Sequence, residues 1–175
     1  MPLAFRKIER KPLWIREPEG ELKAWLTAGE LQADALGELA TQQNKLSIYL
    51  VDEQAGITID RIVTAFAARR QRIVKLDFIT FDPALLQELK IASEKTAGDT
   101  SDAAVNASHI DLINLTASKL VQFGTALLQS GALSRKMDQA VGQLINVGLK
   151  AGHIAQKDLS PEIIAKLGDA KFQPK

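Results

Sequence analysis

The sequence contains no cysteine. Disulfides, thiolate nucleophiles, zinc ribbons and iron–sulfur clusters are therefore excluded. Histidine is scarce: His109 and His153 are the two in the chain, and neither has a second ligand at metal-binding spacing. There is no G-x-G-x-x-G or G-x-x-x-x-G-K-[ST] phosphate loop and no G-x-S-x-G nucleophile elbow. Aromatics make up 5% of residues, and none interleaves the basic run 69–75 to stack on bases. Long apolar runs are missing too. The longest stretch without a charge, 120–134, covers 15 residues, whereas a bilayer-spanning helix needs about 20. The start, MPLAFRKIERK, is basic but lacks the apolar run of a secretory signal. These absences point to a cytoplasmic protein with no membrane association, no cofactor, no catalytic or metal-ligating set and no identifiable small-molecule substrate.

What remains is ample for a core. The chain has 175 residues, 46% of them hydrophobic, and a chain of this size buries about 70% of its unfolded surface. Net charge is +1, but it is blocked along the sequence. Residues 1–16 sum to +4 and 17–60 to −7. The acid-free run 61–75 carries +5, 76–111 carries −5 and 112–175 carries +4. Such blocks create local fields even in a nearly neutral protein.

The first ninety residues alternate the periods of strand and helix. The stretch 22–26 alternates like a short strand, and Thr27 with Glu30 forms a capping box for a helix bearing Leu31, Ala35, Leu36 and Leu39. Leu46–Val51 is apolar enough for a buried strand. A helix over 59–72 buries Ile59, Ile62, Val63 and Phe66, and 73–81 alternates as a strand. Asp82-Pro83 starts another helix. Residues 4–8 and 13–15 add edge strands. The stretch 93–107 holds one sizeable aliphatic residue and reads as a polar linker. Beyond it, a helix from Ser108 to Gln129 and a second from Ser134 to Gly152, joined by residues 131–133, read as an antiparallel pair. Ser160-Pro161-Glu162 starts a short last helix.

The fold expected is therefore α/β: a small, mostly parallel sheet of three to five strands with alternating helices in 1–92, the linker 93–107, and a C-terminal antiparallel helical hairpin in 108–175.

Three functional readings follow. Gly124, Gly142 and Gly148 sit inside helices, each costing about 1 kcal/mol against alanine, and the helix of 108–129 is apolar over most of its circumference. That pattern predicts more apolar face than one hairpin partner covers, hence a non-enzymatic interaction or assembly protein. It binds a protein partner or itself through Leu115, Phe123, Gly142 and Gly148. The alternative is a polyanion-binding module, nucleic acid included, using Arg69, Arg70, Arg72 and Lys75. The third is a metal-dependent enzyme at the strand-end acids Glu30, Asp52, Glu53 and Asp82, since clustered carboxylates suit a hard cation.

Overall fold

The computed structural model describes residues 2–14 and 27–174. The expected strand at 22–26 lies outside them. Among the described residues six strands alternate with helices, and two helices close the order: β1 (Leu3–Ile8), α1 (Ala33–Gly37), β2 (Leu46–Val51), α2 (Ile59–Ala68), β3 (Leu76–Phe81), α3 (Ala84–Glu88), β4 (Ala92–Lys95), α4 (Ala103–Ala107), β5 (His109–Ile113), α5 (Ala117–Ser130), β6 (Ala132–Lys136), α6 (Asp138–Lys150) and α7 (Pro161–Leu167). Short 3₁₀ turns lie at Lys11–Leu13, Gln156–Asp158 and Ala170–Phe172.

The sheet overturns the parallel expectation. Its six strands run antiparallel in the order β4-β5-β2-β1-β3-β6. The strands β2 and β3, joined by α2, are not neighbours, because β1 inserts between them. It pairs antiparallel with β3, in a register from Ala4 opposite Phe81 to Ile8 opposite Asp77. Residues 4–8, expected at an edge, form a strand with neighbours on both sides. It tolerates the centre because the Arg6 guanidinium donates to backbone carbonyls, Ser47 O at 2.8 Å and Glu38 O at 3.4 Å.

The helical hairpin is corrected as well. The expected 108–129 helix divides: His109–Ile113 is β5, paired antiparallel with β4 from Ala92 opposite Ile113 to Lys95 opposite Ile110. Asn114, at φ +56°, turns the chain out of the strand, and the Thr116 hydroxyl caps α5 by accepting from Lys119 N. The supposed connection 131–133 leads into β6 rather than joining two helices. Gly131 is required there, since a Cβ would lie 2.5 Å from Leu127 O and 2.7 Å from Ile79 Cγ2. The second helix starts at Asp138 rather than Ser134.

The polar stretch 93–107 is built into the fold, carrying β4 and α4. Asp102 caps α4, accepting from Ala104 N and Val105 N, and also receives the Arg61 guanidinium on both carboxylate oxygens at 2.6 and 3.1 Å. Asn106 Oδ1 accepts from Thr100 N and Oγ1, and its Nδ2 donates to Thr100 O. Polar residues that looked too hydrophilic to pack satisfy one another instead.

The chain packs as two compact units. One comprises Met1–Ile48, Asp77–Lys95 and Ile110–Ser134; the other comprises Tyr49–Leu76, Thr96–His109 and Arg135–Lys175. In the first, α1 packs on α5, Phe5 stacks on Phe78 at 4.9 Å and Phe81 meets Phe123 edge-on at 5.4 Å. In the second, α2 packs on α6 and Tyr49 sits edge-on to both Phe66 and His109. There Ile62, Val63, Val105, Ile145 and Ile163 are fully enclosed.

Candidate functional site

The residues expected to face a partner are used inside the chain. Phe123 is 0% exposed and Leu115 is buried, its backbone N bonded to Asn44 O. Gly142 accommodates the Phe172 ring, which a Cβ would meet at 2.2 Å, and Gly148 accommodates the Thr64 methyl, 2.6 Å from a Cβ position. The small residues of α6 thus serve close packing within the second unit. All four positions are buried within the chain itself.

The basic run is largely committed too. Arg69 bonds the Asp99 carboxylate and backbone carbonyl, and Arg70 donates to Lys75 O at 2.8 Å. Arg72 helps hold the Glu162 carboxyl below the usual carboxylate range, behind the larger effect of the Lys166 hydrogen bond. Arg69, Arg72 and Lys75 are all exposed, and the Arg69 charge is partly offset by the exposed carboxylate of Asp99.

The acids have local duties. Glu30 accepts from Thr27 N, Asp52 from Ala55 N and Asp82 from Ala84 N, and Glu53 lies exposed in the turn that follows β2. Among the described residues no three His, Asp or Glu side chains come together as a metal set. The half of the capping box at Thr27 and Glu30 that forms closes a turn, and α1 starts later, at Ala33. His109 is buried with its Nδ1 2.8 Å from Thr96 Oγ1. His153 donates its backbone N to Gly148 O beyond the end of α6.

A concave site emerges elsewhere, between α6, the Gln156–Asp158 turn and α7. It is a groove of about 280 Å³ lined by Asn146, Leu149, Gln156, Leu159, Ile164, Leu167 and Gly168. Its geometry is set by local chemistry. Ser160 and Pro161 start α7, the serine hydroxyl accepting from Ile163 N and donating to Gln71 O at 2.5 Å. Ile163 then points into the core while its neighbour Ile164 stays 37% exposed on the groove wall. Asn146 ties the other side, its Nδ2 donating to Leu167 O at 3.2 Å and Phe172 O at 2.9 Å. Four aliphatic side chains form the surface and the carboxamides of Asn146 and Gln156 are its polar lining. No titratable group lines it.

Sequence reasoning did not find this groove. Its residues are dispersed over 146–168, and the single signal was an apolar pair, Ile163-Ile164, in a short helix that needs only one of them inside.

Comparison with models of known families, with curated proteins and with solved structures returned no match. Among the described residues no helix is long and apolar enough to cross a membrane.

Proposed function

We propose that this protein acts by binding another protein in the cytoplasm, seating an aliphatic or aromatic side chain of a partner segment in the α6–α7 groove. The carrying observation is the lining itself: four aliphatic walls and two carboxamides. Apolar walls supply the free energy of burial, about 25 cal/mol per Å². The Asn146 Nδ2 is already spent on Leu167 O and Phe172 O, which leaves its Oδ1 to accept from a peptide N–H, while the Gln156 carboxamide both donates and accepts. A lining without acid, base or nucleophile suits recognition and offers nothing to move a proton or attack a carbonyl.

The test is affinity capture from the protein's own cells with three baits: wild type, Ile164→Asp and Val121→Asp. Val121 is an exposed apolar residue of α5, 44% accessible, and serves as control. One protein should be retained by wild type and Val121→Asp and lost from Ile164→Asp, all three baits giving the same circular-dichroism spectrum. Equal capture by Ile164→Asp would refute the reading.

A further inference from the structure

The segment that follows α7 is fastened by a single side chain. Of residues 169–173 only Phe172 is buried, at 3% exposure, while Asp169, Ala170, Lys171 and Gln173 stand exposed. The Phe172 ring rests on α6 at Gly142, three of its carbons lying 2.2–2.9 Å from where a Cβ of residue 142 would stand. The rest of the attachment is neutral hydrogen bonding. Asn146 Nδ2 donates to Phe172 O at 2.9 Å, and Gln143 Nε2 donates to Lys171 O and Gln173 O at 3.4 and 3.3 Å. Gln173 Nε2 returns to Leu167 O at the end of α7, at 2.9 Å. Among the described residues no ion pair joins the segment to α6, and the Lys171 ammonium lies over the Phe172 ring of the segment itself, 4.7 Å from its centroid. One buried ring and a few exposed bonds mark a part of a fold that opens locally, without the rest of its unit unfolding.

This attachment reaches into the groove. Gly142 and Asn146 are about one turn apart on α6, and Asn146 and Gly168 are both groove lining. Docked, the segment takes the shorter of the two bonds made by Asn146 Nδ2, the other running to Leu167 O at 3.2 Å. Undocked, it returns that donor to the carboxamide and uncovers the socket over Gly142, one turn along the helix from the groove wall.

We infer that residues 169–173 are an autoinhibitory plug: Phe172 fills a socket that continues the groove, and a partner segment seats fully once the plug has left, laying an aromatic side chain of its own over Gly142. The coupling to binding rests on the groove reading above, whereas the docking equilibrium is a property of the chain alone. An order–disorder step of this kind weakens the apparent affinity in proportion to the fraction of molecules with the plug in place.

Nuclear magnetic resonance of the isotope-labelled full chain reads both states. In wild type the Phe172 and Gln173 amides, bonded to Asp169 O and Ala170 O within the segment, should exchange about 100-fold faster than the Ile145 amide of α6. Phe172→Ala empties the socket from the segment's side and Gly142→Ala from its floor. Each should shift the Asn146 carboxamide signals and sharpen those of 169–173, with α6 still protected. A peptide of residues 168–174 added to the Phe172→Ala chain should return the Asn146 signals towards their wild-type positions. It should bind wild type about tenfold more weakly, because the resident plug competes, and the same peptide carrying Phe172→Ala should do nothing. A Phe172 amide as protected as that of Ile145, Asn146 signals that move in neither variant, or equal peptide binding to wild type and Phe172→Ala would each overturn the inference. In affinity capture, Phe172→Ala should retain several-fold more of the protein whose retention needs Ile164. Equal retention with the plug measured as open overturns the coupling and leaves the groove reading standing. Retention that ignores Ile164 overturns the groove reading and the coupling together, and the exchange data then decide the plug alone.

Discussion

Replacing Asp102 by asparagine removes one charge and almost no volume. The carboxylate is 3% exposed and grips the Arg61 guanidinium, itself 18% exposed, through two bonds. Asparagine still caps α4 by accepting from the Ala104 and Val105 amides, so helix capping is preserved. The loss is electrostatic: a guanidinium left largely out of water without its counter-charge. Removing one partner of a buried pair costs about 3–5 kcal/mol, and partial exposure of Arg61 places this one near 3 kcal/mol. A domain of this size holds about 5–15 kcal/mol in total and shifts its Tm by about 2–4 °C per kcal/mol, so a fall of about 6–12 °C is expected. Thermal and urea denaturation followed by circular dichroism measure it. Hydrogen exchange should rise first in 96–107. Adding Arg61→Met should recover part of the loss, because the orphaned charge is then gone. A Tm within 1–2 °C of wild type (about 0.5 kcal/mol), with unchanged protection of α4, would refute the reasoning.

The remaining expectations concern the same forces. Burial alone would raise the Asp102 carboxyl, but the Arg61 hydrogen bond and the Val105 and Ala104 amides outweigh it and hold it below the usual range. Its stabilising share is thus complete above the unfolded carboxylate pKa and is lost as pH falls through the lower folded value; an acid titration in which Asp102→Asn loses as much stability as wild type would contradict this. Lys45, raised chiefly by its hydrogen bond to Glu94 at 2.5 Å, behaves oppositely, and its contribution should fade only in alkali above the ordinary lysine range. Phe123→Ala should cost about 3–5 kcal/mol in chemical denaturation as a core deletion. Gly142→Ala should cost about 1–3 kcal/mol by overpacking against the Phe172 ring, read as a lowered Tm and earlier proteolysis after Leu167. Arg69→Ala with Arg70→Ala should leave duplex-DNA binding at low salt no weaker than wild type, since both guanidinia are engaged within the chain; a reduced salt slope would restore the polyanion reading.

Elements that announce themselves in sequence do so through a single local cause. Leu46–Val51 needs only its apolar run, α2 its amphipathic spacing after the Thr58 cap, and α7 its Ser-Pro start. The misreadings share a different cause. Whether β2 and β3 are neighbours depends on where β1 goes, and that is decided by carbonyls of Ser47 and Glu38 that lie 41 and 32 residues from Arg6. Ser108 and Asp111 stand at capping-box spacing, which makes His109–Ile113 read as helix from sequence alone. Yet the Ser108 hydroxyl donates to Val105 O, and Asp111 accepts from the Ser47 hydroxyl across the sheet. The stretch 96–107 looked unfoldable because its bonds are polar and mutual, and hydrophobic periodicity is blind to them. The candidate groove was hidden for a similar reason, as a cleft belongs to the spacing of α6 and α7 and not to either helix.

The fate of the helix glycines sharpens what small residues mean. A glycine within a helix marks a close approach, and sequence alone does not say from which side. Here the approach is internal: Phe172 rests on Gly142, Thr64 on Gly148 and Leu31 on Gly124. Alanine keeps full helix propensity but carries a Cβ that each of these contacts would strike. The distinction is physical. Glycine serves where a ring or methyl of the same chain must touch backbone.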